Sequence, residues 1–179
     1  MRSFVAMLLL SLCLPAVAQL RDPLAVEHVD AANFMGEWYE IARLPNRLEH
    51  DCARDVTSTF ERRTEEAIRV TYRCKTLDGE SQQIRGVGRI RDMASQSKLE
   101  MRFAPLALAW WPFVWDDWWI LELPSASGYM MVGDPSREAL WIFARSRQLD
   151  DATYGILVAH AARQGYDTQH LVKTPQSQR

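Results

Sequence analysis

The chain has 179 residues with 21 basic and 23 acidic side chains, a formal net charge of −2. That balance offers no basic face to a phosphate backbone, so nucleic-acid binding is not expected. Beyond the N-terminal apolar run, no stretch is long and apolar enough to form a transmembrane helix.

Residues 1–18 read as a secretory signal peptide. Met1-Arg2 supplies the positive charge, Phe4 to Ala16 is an apolar run too short to span a bilayer, and Ala16-Val17-Ala18 is a small-residue cleavage signature before Gln19. Cys13 follows Leu12, which is too bulky for the position before a lipoprotein cleavage, so no lipid anchor is expected there. Residues 19–179 then form one domain, with the even pair Cys52 and Cys74 expected to be oxidised.

After a leader and a short polar turn (Asp30 to Asn33), Gly36-Glu37-Trp38-Tyr39-Glu40-Ile41-Ala42-Arg43 reads as a first strand. Gly36 allows close packing against its start. Trp38 is bulky enough to plug one end of a small barrel. Val56, Ser58 and Phe60 alternate with polar neighbours, and Ile68, Val70, Tyr72 and Cys74 do so again, which predicts a hairpin about the polar run Glu61 to Glu66. Opposed residues in such a hairpin share a constant index sum. Placing Cys52 opposite Cys74 centres the turn on Arg63, and the resulting bond stabilises the fold by roughly 3 kcal/mol.

The run Gln82 to Arg91 puts Ile84, Gly86, Gly88 and Ile90 on one face, with the glycines permitting the sharp bending a barrel wall needs. Leu99, Met101 and Phe103 form the next strand. A long loop, Ala104 to Asp117, leads to strands over 118–123 and 128–133, a tight turn at Asp134-Pro135-Ser136-Arg137, and an eighth strand over 139–146. From Asp150 the period becomes helical, with Tyr154, Leu157, Val158 and Ala161 on one face and Gly165 at the end. Residues 166–173 return to an extended reading before a polar tail. Eight short strands and one late helix predict an all-β fold: an eight-stranded antiparallel up-and-down barrel with the helix packed outside, wide enough for one small ligand. A sandwich fits the same periodicity.

Parity supplies a candidate wall for the interior: Glu40 and Ala42 with Trp38, Val70 and Tyr72, Ile84, Met101 and Phe103, Met130 and Val132, and Trp141 and Phe143. The set is mostly apolar with Tyr72 and Glu40 as polar anchors, the usual composition of a small-molecule pocket. Five of the chain's seven tryptophans fall between Trp110 and Trp119. A loop this apolar marks a ligand entrance or contact surface, and it adds Trp111, Phe113 and Trp118 to the ligand-binding candidates. The doublet Trp118-Trp119 leaves open which ring faces in.

Catalytic chemistry has no positive signal. His28, His50, His160 and His170 are scattered without metal-ligand spacing, and neither a nucleophile elbow nor a phosphate loop occurs. No metal and no cofactor are expected.

Three stretches match a known family in order and spacing. Gly36-Glu37-Trp38-Tyr39-Glu40-Ile41-Ala42-Arg43 resembles the Gly-x-Trp first motif of lipocalins. Tyr129-Met130-Met131-Val132-Gly133-Asp134-Pro135 is similar to the second motif in its bacterial form, and Leu140-Trp141-Ile142-Phe143-Ala144-Arg145-Ser146 to the third. The nearest resemblance is to the outer-membrane lipocalins of bacteria, which are similar to apolipoprotein D and the plant temperature-induced lipocalins. It implies a calyx whose closed end has Gly36, Trp38 and Arg145 as structural residues, with Arg145 lying across Trp38. It also implies a fatty acid or lysophospholipid as ligand, homodimers through the aromatic loop or open end, and peripheral association with the outer membrane. The leading expectation is therefore a carrier with no chemical step. Rival readings are an enzyme on the same scaffold using Glu40 or Tyr72, and an envelope protein that docks through its tryptophan-rich loop.

Overall fold

The computed structural model describes residues 22–125 and 128–178. The expected signal peptide, residues 1–18, lies outside the described residues. A one-turn helix α1 (Ala31–Phe34) occupies the stretch read as a polar turn; the Asp30 carboxylate caps it by accepting from the Ala32 amide. There follow β1 (Gly36–Arg43), β2 (Arg54–Arg62), β3 (Ala67–Lys75), β4 (Ser81–Ile90), β5 (Lys98–Arg102), β6 (Asp116–Glu122), β7 (Tyr129–Gly133) and β8 (Leu140–Ala144). Helix α2 (Asp151–Arg163) and a two-residue strand β9 (Val172–Lys173) complete the order.

From β1 to β8 each strand pairs antiparallel with the next, and β1 also pairs with β8, so the sheet closes into an eight-stranded barrel with α2 outside. The sandwich alternative is thereby excluded. Asp150 accepts from the Thr153 amide at the start of α2, and its Leu157 and Ala161 are buried against the wall. Strand β8 is buried along its whole length, because the lumen lies on one side and α2 on the other. That two-sided burial is why it reads as an unbroken apolar run. The same geometry separates the tryptophan doublet. Trp118 joins the lumen, whereas Trp119 packs in the outer layer, with Lys98 Nζ 4.2 Å from its ring.

Two readings of register are corrected. The β2–β3 hairpin pairs Ser58 with Tyr72 and Phe60 with Val70, so its turn centres on Glu65 rather than Arg63. The disulfide Cys52–Cys74 still forms, with Cα atoms 5.5 Å apart. A bulge beside Asp55, whose φ is 54°, shifts the pairing to Arg54–Lys75 and lets the loop before β2 swing across to Cys74. The second correction concerns Ala42. A bulge in β1 carries the pairing from Glu40–Phe143 to Ala42–Ile142. Ala42 thus turns into the outer layer under α2, and Arg43 takes the inward place beside Trp141.

The polar tail is also part of the wall. β1 pairs with β2 only over Gly36–Tyr39. Beyond that seam Gln176 Nε2 donates to the carbonyls of Glu40 and Val56, both at 2.9 Å, and Ser177 bonds the Asp55 carboxylate. β9 continues the repair by pairing with Ala42 and Arg43.

Candidate functional site

The closed end is built by contacts between distant motifs. Arg145 stacks on the Trp38 indole at 3.6 Å from its centroid. It also donates to the carbonyls of Glu37, Asn33 and Met35 at 2.8, 2.9 and 2.7 Å. Trp38 Nε1 donates to Phe34 O at 2.8 Å. Gly36 sits at φ +90°, and a Cβ there would come within 3.3 Å of the Arg145 guanidinium. From this floor the lumen is filled by side chains, with Phe34, Phe60 and Trp118 in successive ring contact at 6.1 and 5.3 Å. Val70, Met130, Val132 and Phe143 belong to this packed interior, and none of them is exposed.

Above it opens a cavity of about 890 Å³, within the usual range for a small-molecule site. Tyr72, Met101, Phe103, Trp118 and Trp141, all on the sequence-derived list, line it. Two glycines make room for this lining. A Cβ on Gly86 would lie 2.6 Å from the Phe103 ring, and one on Gly88 would lie 2.6 Å from Met101 Sδ. These glycines read in sequence as bending points; their closer function here is to seat the two side chains.

The remaining candidates lie elsewhere. Ile84 is half-buried against the core without lining the cavity, and Ala42 is outside. Trp111 and Phe113 sit on the loop between β5 and β6, exposed to 45% and 86%. Glu40 is fully buried beside the cavity. Its carboxylate takes a 2.5 Å bond from Arg43 and one from the Thr174 hydroxyl. Burial, then the charge of Glu49, push its pKa up to about 8.

Sequence parity could not find the loop residues of the mouth. Pro45 to Leu48, Trp115 to Asp117, and Asp134, Pro135, Ser136, Glu138 and Ala139 complete the lining. Asp116 and Asp117, placed by the sequence at the end of the long loop, instead begin β6 opposite Met101 and Glu100. Burial, then Asp134 and Asp117, hold the Asp116 carboxyl above its ordinary range. Glu49 ties the first loop to the wall, accepting from Trp141 Nε1 and from the Asn46 amide at 2.9 Å each. The Glu49 and Glu40 carboxyls are in hydrogen-bond contact with each other, and the Tyr72 hydroxyl with Ser58 and Trp118, all buried. Burial, followed by Glu49 and Glu40, raises the Tyr72 hydroxyl well above its usual value. The site is an apolar, aromatic chamber with buried polar atoms at its wall and carboxylates around its mouth.

A family model for the lipocalin-like domain matches residues 29–176. The chain is 34% identical to Temperature-induced lipocalin-1 of Arabidopsis thaliana over 85% of its length and 82% of that protein's. It is 27% identical to the Outer membrane lipoprotein Blc of Escherichia coli (strain K12), over 85% of this chain and 82% of that one. Among solved structures, lobster apocrustacyanin A1 superposes with a TM-score of 0.64 at 18% identity, covering 83% of this chain and 81% of the other. The barrel, the outer helix, the Trp38–Arg145 closure and these matches together make the chain a member of the lipocalin family, whose members generally bind small hydrophobic ligands.

Proposed function

We propose that the protein is a carrier that buries the acyl or alkyl chain of a single amphiphile, a fatty-acid or lysophospholipid-like molecule, in the open half of its barrel. The observation that carries this reading is the cavity itself. Its inner lining of Tyr72, Met101, Phe103, Trp118 and Trp141 is apolar and aromatic, and it opens at the end opposite the Trp38–Arg145 closure. Removing chain surface from water drives binding at about 25 cal/mol per Å² before association costs. Glu40, the residue an enzyme reading needs, is engaged by Arg43 and Thr174 and does not line the cavity, which favours carriage over catalysis. The name of the E. coli relative, an outer membrane lipoprotein, supports a place for this protein in the cell envelope, reached through the leader at residues 1–18.

The test is titration with N-phenyl-1-naphthylamine, an uncharged fluorescent probe. Saturable one-to-one binding with displacement by amphiphiles is expected; no saturation by the probe and no binding of any amphiphile would remove the reading.

A second role is favoured by one feature. Leu106, Trp110 and Phe113 on the loop between β5 and β6 are exposed to 79%, 76% and 86% beside the cavity mouth. Such a patch fits transient contact with a lipid surface during loading or release. Trp110→Ser with Phe113→Ser is expected to lower vesicle association while leaving probe binding intact.

A further inference from the structure

The near balance of basic and acidic residues hides a segregation that the barrel creates on its outer face. Gly86 and Gly88 face the interior, against Phe103 and Met101, so Val87 between them points outward and is 40% exposed. Val87 lies opposite Arg69 on β3 and opposite Arg102 on β5, with Arg85 and Arg89 two places away along β4. Directly opposed residues, and residues two apart on one strand, share a face of the sheet. Arginines therefore surround Val87 on every side. Arg73 and Lys75 continue the row along β3, where they meet the neutral side chains of Gln83, Thr59 and Ser81.

The carboxylates of this wall stand toward its edges. On β2, Glu61 approaches Arg69 at 3.4 Å, both side chains about half exposed. Glu100 on β5 is shared, at 2.6 Å from Arg89 and 3.2 Å from Arg91, and Asp117 lies opposite it on β6. Toward β1, Glu37 and Asp55 share a surface groove with Arg73, Lys75 and Arg147. Asp55 is already held there by Arg54 and Ser177. Among the described residues neither Arg85 nor Arg102 has a carboxylate partner; Arg85 is exposed, and Arg102 is buried with its Nη1 on the carbonyls of Ala104 and Pro105 at 2.9 Å. The middle of the wall keeps a positive surplus in a chain whose net charge is −2.

The apolar loop between β5 and β6 is tied to the same wall. Arg89 and Arg102 both stack on Trp115, at 4.0 and 5.3 Å from its ring, and the Arg102 bonds to Ala104 and Pro105 fix the other end. Leu106, Trp110 and Phe113 are thereby held exposed beside a basic face. Apolar side chains that enter the head-group layer, next to cations that meet lipid phosphates, are the pairing that seats a protein on an anionic bilayer. The open end is unsuited to that surface, because Asp116, Asp117, Asp134 and Glu138 line it. Strands β7 and β8, whose connecting loop carries Asp134 and Glu138, stand across the barrel from β3 and β4.

We propose that the β3–β5 wall and the loop beside it form one docking surface for a bilayer containing anionic phospholipid, met side-on rather than with the open end. This rests on the lipid-surface contact proposed above and deepens it by naming the lipid charge and the face that reads it. A nucleic acid could use the same cations but leaves the adjoining apolar loop without a role, which favours lipid.

The experiment is cosedimentation of the full chain with vesicles of phosphatidylcholine alone and of equal parts phosphatidylcholine and phosphatidylglycerol. At low salt the mixed vesicles are expected to bind about tenfold more tightly, and the gap should shrink at high salt. Arg73→Gln with Arg85→Gln should bring the mixed vesicles down to the neutral level, while binding of N-phenyl-1-naphthylamine stays as in the parent. Glu138→Gln should leave the gap as it is; a several-fold gain on mixed vesicles would mean end-on docking and overturn the proposal. Duplex DNA bound as tightly as the mixed vesicles would also overturn it, by assigning the wall to nucleic acid. Equal binding of the two vesicle types, or a parental gap in the double variant, would overturn it while leaving the lipid-surface contact intact. Binding to neither vesicle would remove that contact as well.

Discussion

Trp141 donates its indole N–H to Glu49 at 2.9 Å, joining residues 92 positions apart in the chain. The bond fastens the loop between β1 and β2 to the inner wall, and the Asn46 amide and Arg43 complete the same knot. Trp141→Phe keeps the ring and removes the donor, so the buried Glu49 carboxylate loses one of its few partners. A destabilisation of about 1–3 kcal/mol is expected, together with faster amide hydrogen exchange confined to residues 44–53. Unchanged exchange in that loop would mean the bond does not hold it.

Glu40 makes stability depend on pH. Its folded pKa is raised to about 8 from an ordinary 4.5, so the folded state keeps a proton that the unfolded chain releases. The sign follows: this contribution is whole below the unfolded value, declines as pH rises between the two values, and levels off above the folded one. The groups facing Glu40 are Arg43, Glu49, Thr174 and Tyr72. Glu40→Gln removes the titration, so denaturation midpoints measured at acid and mildly alkaline pH should differ less in the variant than in the parent. Identical pH slopes in the two proteins would contradict this assignment.

Arg145 combines a stacking contact with three bonds to carbonyls of the N-terminal segment. Arg145→Ala is expected to cost about 1–3 kcal/mol of stability, the exposed side of the guanidinium keeping the loss moderate. Arg145→Lys should recover little, because an ammonium lacks the planar fork that reaches three carbonyls while stacking. Binding of the uncharged probe should be unaffected in whatever fraction remains folded. A melting temperature equal to the parent's would show that the closure contributes nothing.

The barrel was legible chiefly from the alternation of β1 to β4, which have one buried and one wetter face over most of their length, whereas β7 and β8 are buried on both faces. The cavity was legible only in part. Tyr72, Met101, Phe103, Trp118 and Trp141 line it as parity suggests, but parity says nothing about height in the barrel. Val70, Met130, Val132 and Phe143 share the inward face and belong to the packed core without lining the cavity. Ala42 was misplaced because a bulge inserts one residue into β1, and no local sequence signal distinguishes a bulged alanine from a regular one. The mouth escaped the reading for another reason: its residues come from loops brought together by barrel closure, so Asp116 and Asp134 are neighbours only in three dimensions. The tail was equally silent, since Gln176 gains its structural meaning from a seam between β1 and β2.

The disulfide closes a separation of 22 residues. Replacing both Cys52 and Cys74 by Ser is expected to lower stability by about 3 kcal/mol on the chain-entropy account. The barrel should survive, because the β2–β3 ladder continues from Thr57–Arg73 to Arg62–Ile68 without it. Loss of the far-ultraviolet β signature at room temperature would contradict that expectation.

The central claim is that an acyl chain lies within the barrel against Trp118. A monoacylglycerol with a brominated chain tests this most directly, since bromine quenches only indoles it touches and the neutral head leaves the mouth's charges uninvolved. The account expects saturable one-to-one quenching that is markedly reduced in Trp118→Phe and retained in Trp110→Phe. Quenching that never saturates, or that is lost in Trp110→Phe and unchanged in Trp118→Phe, would place the lipid on the exposed loop and contradict it.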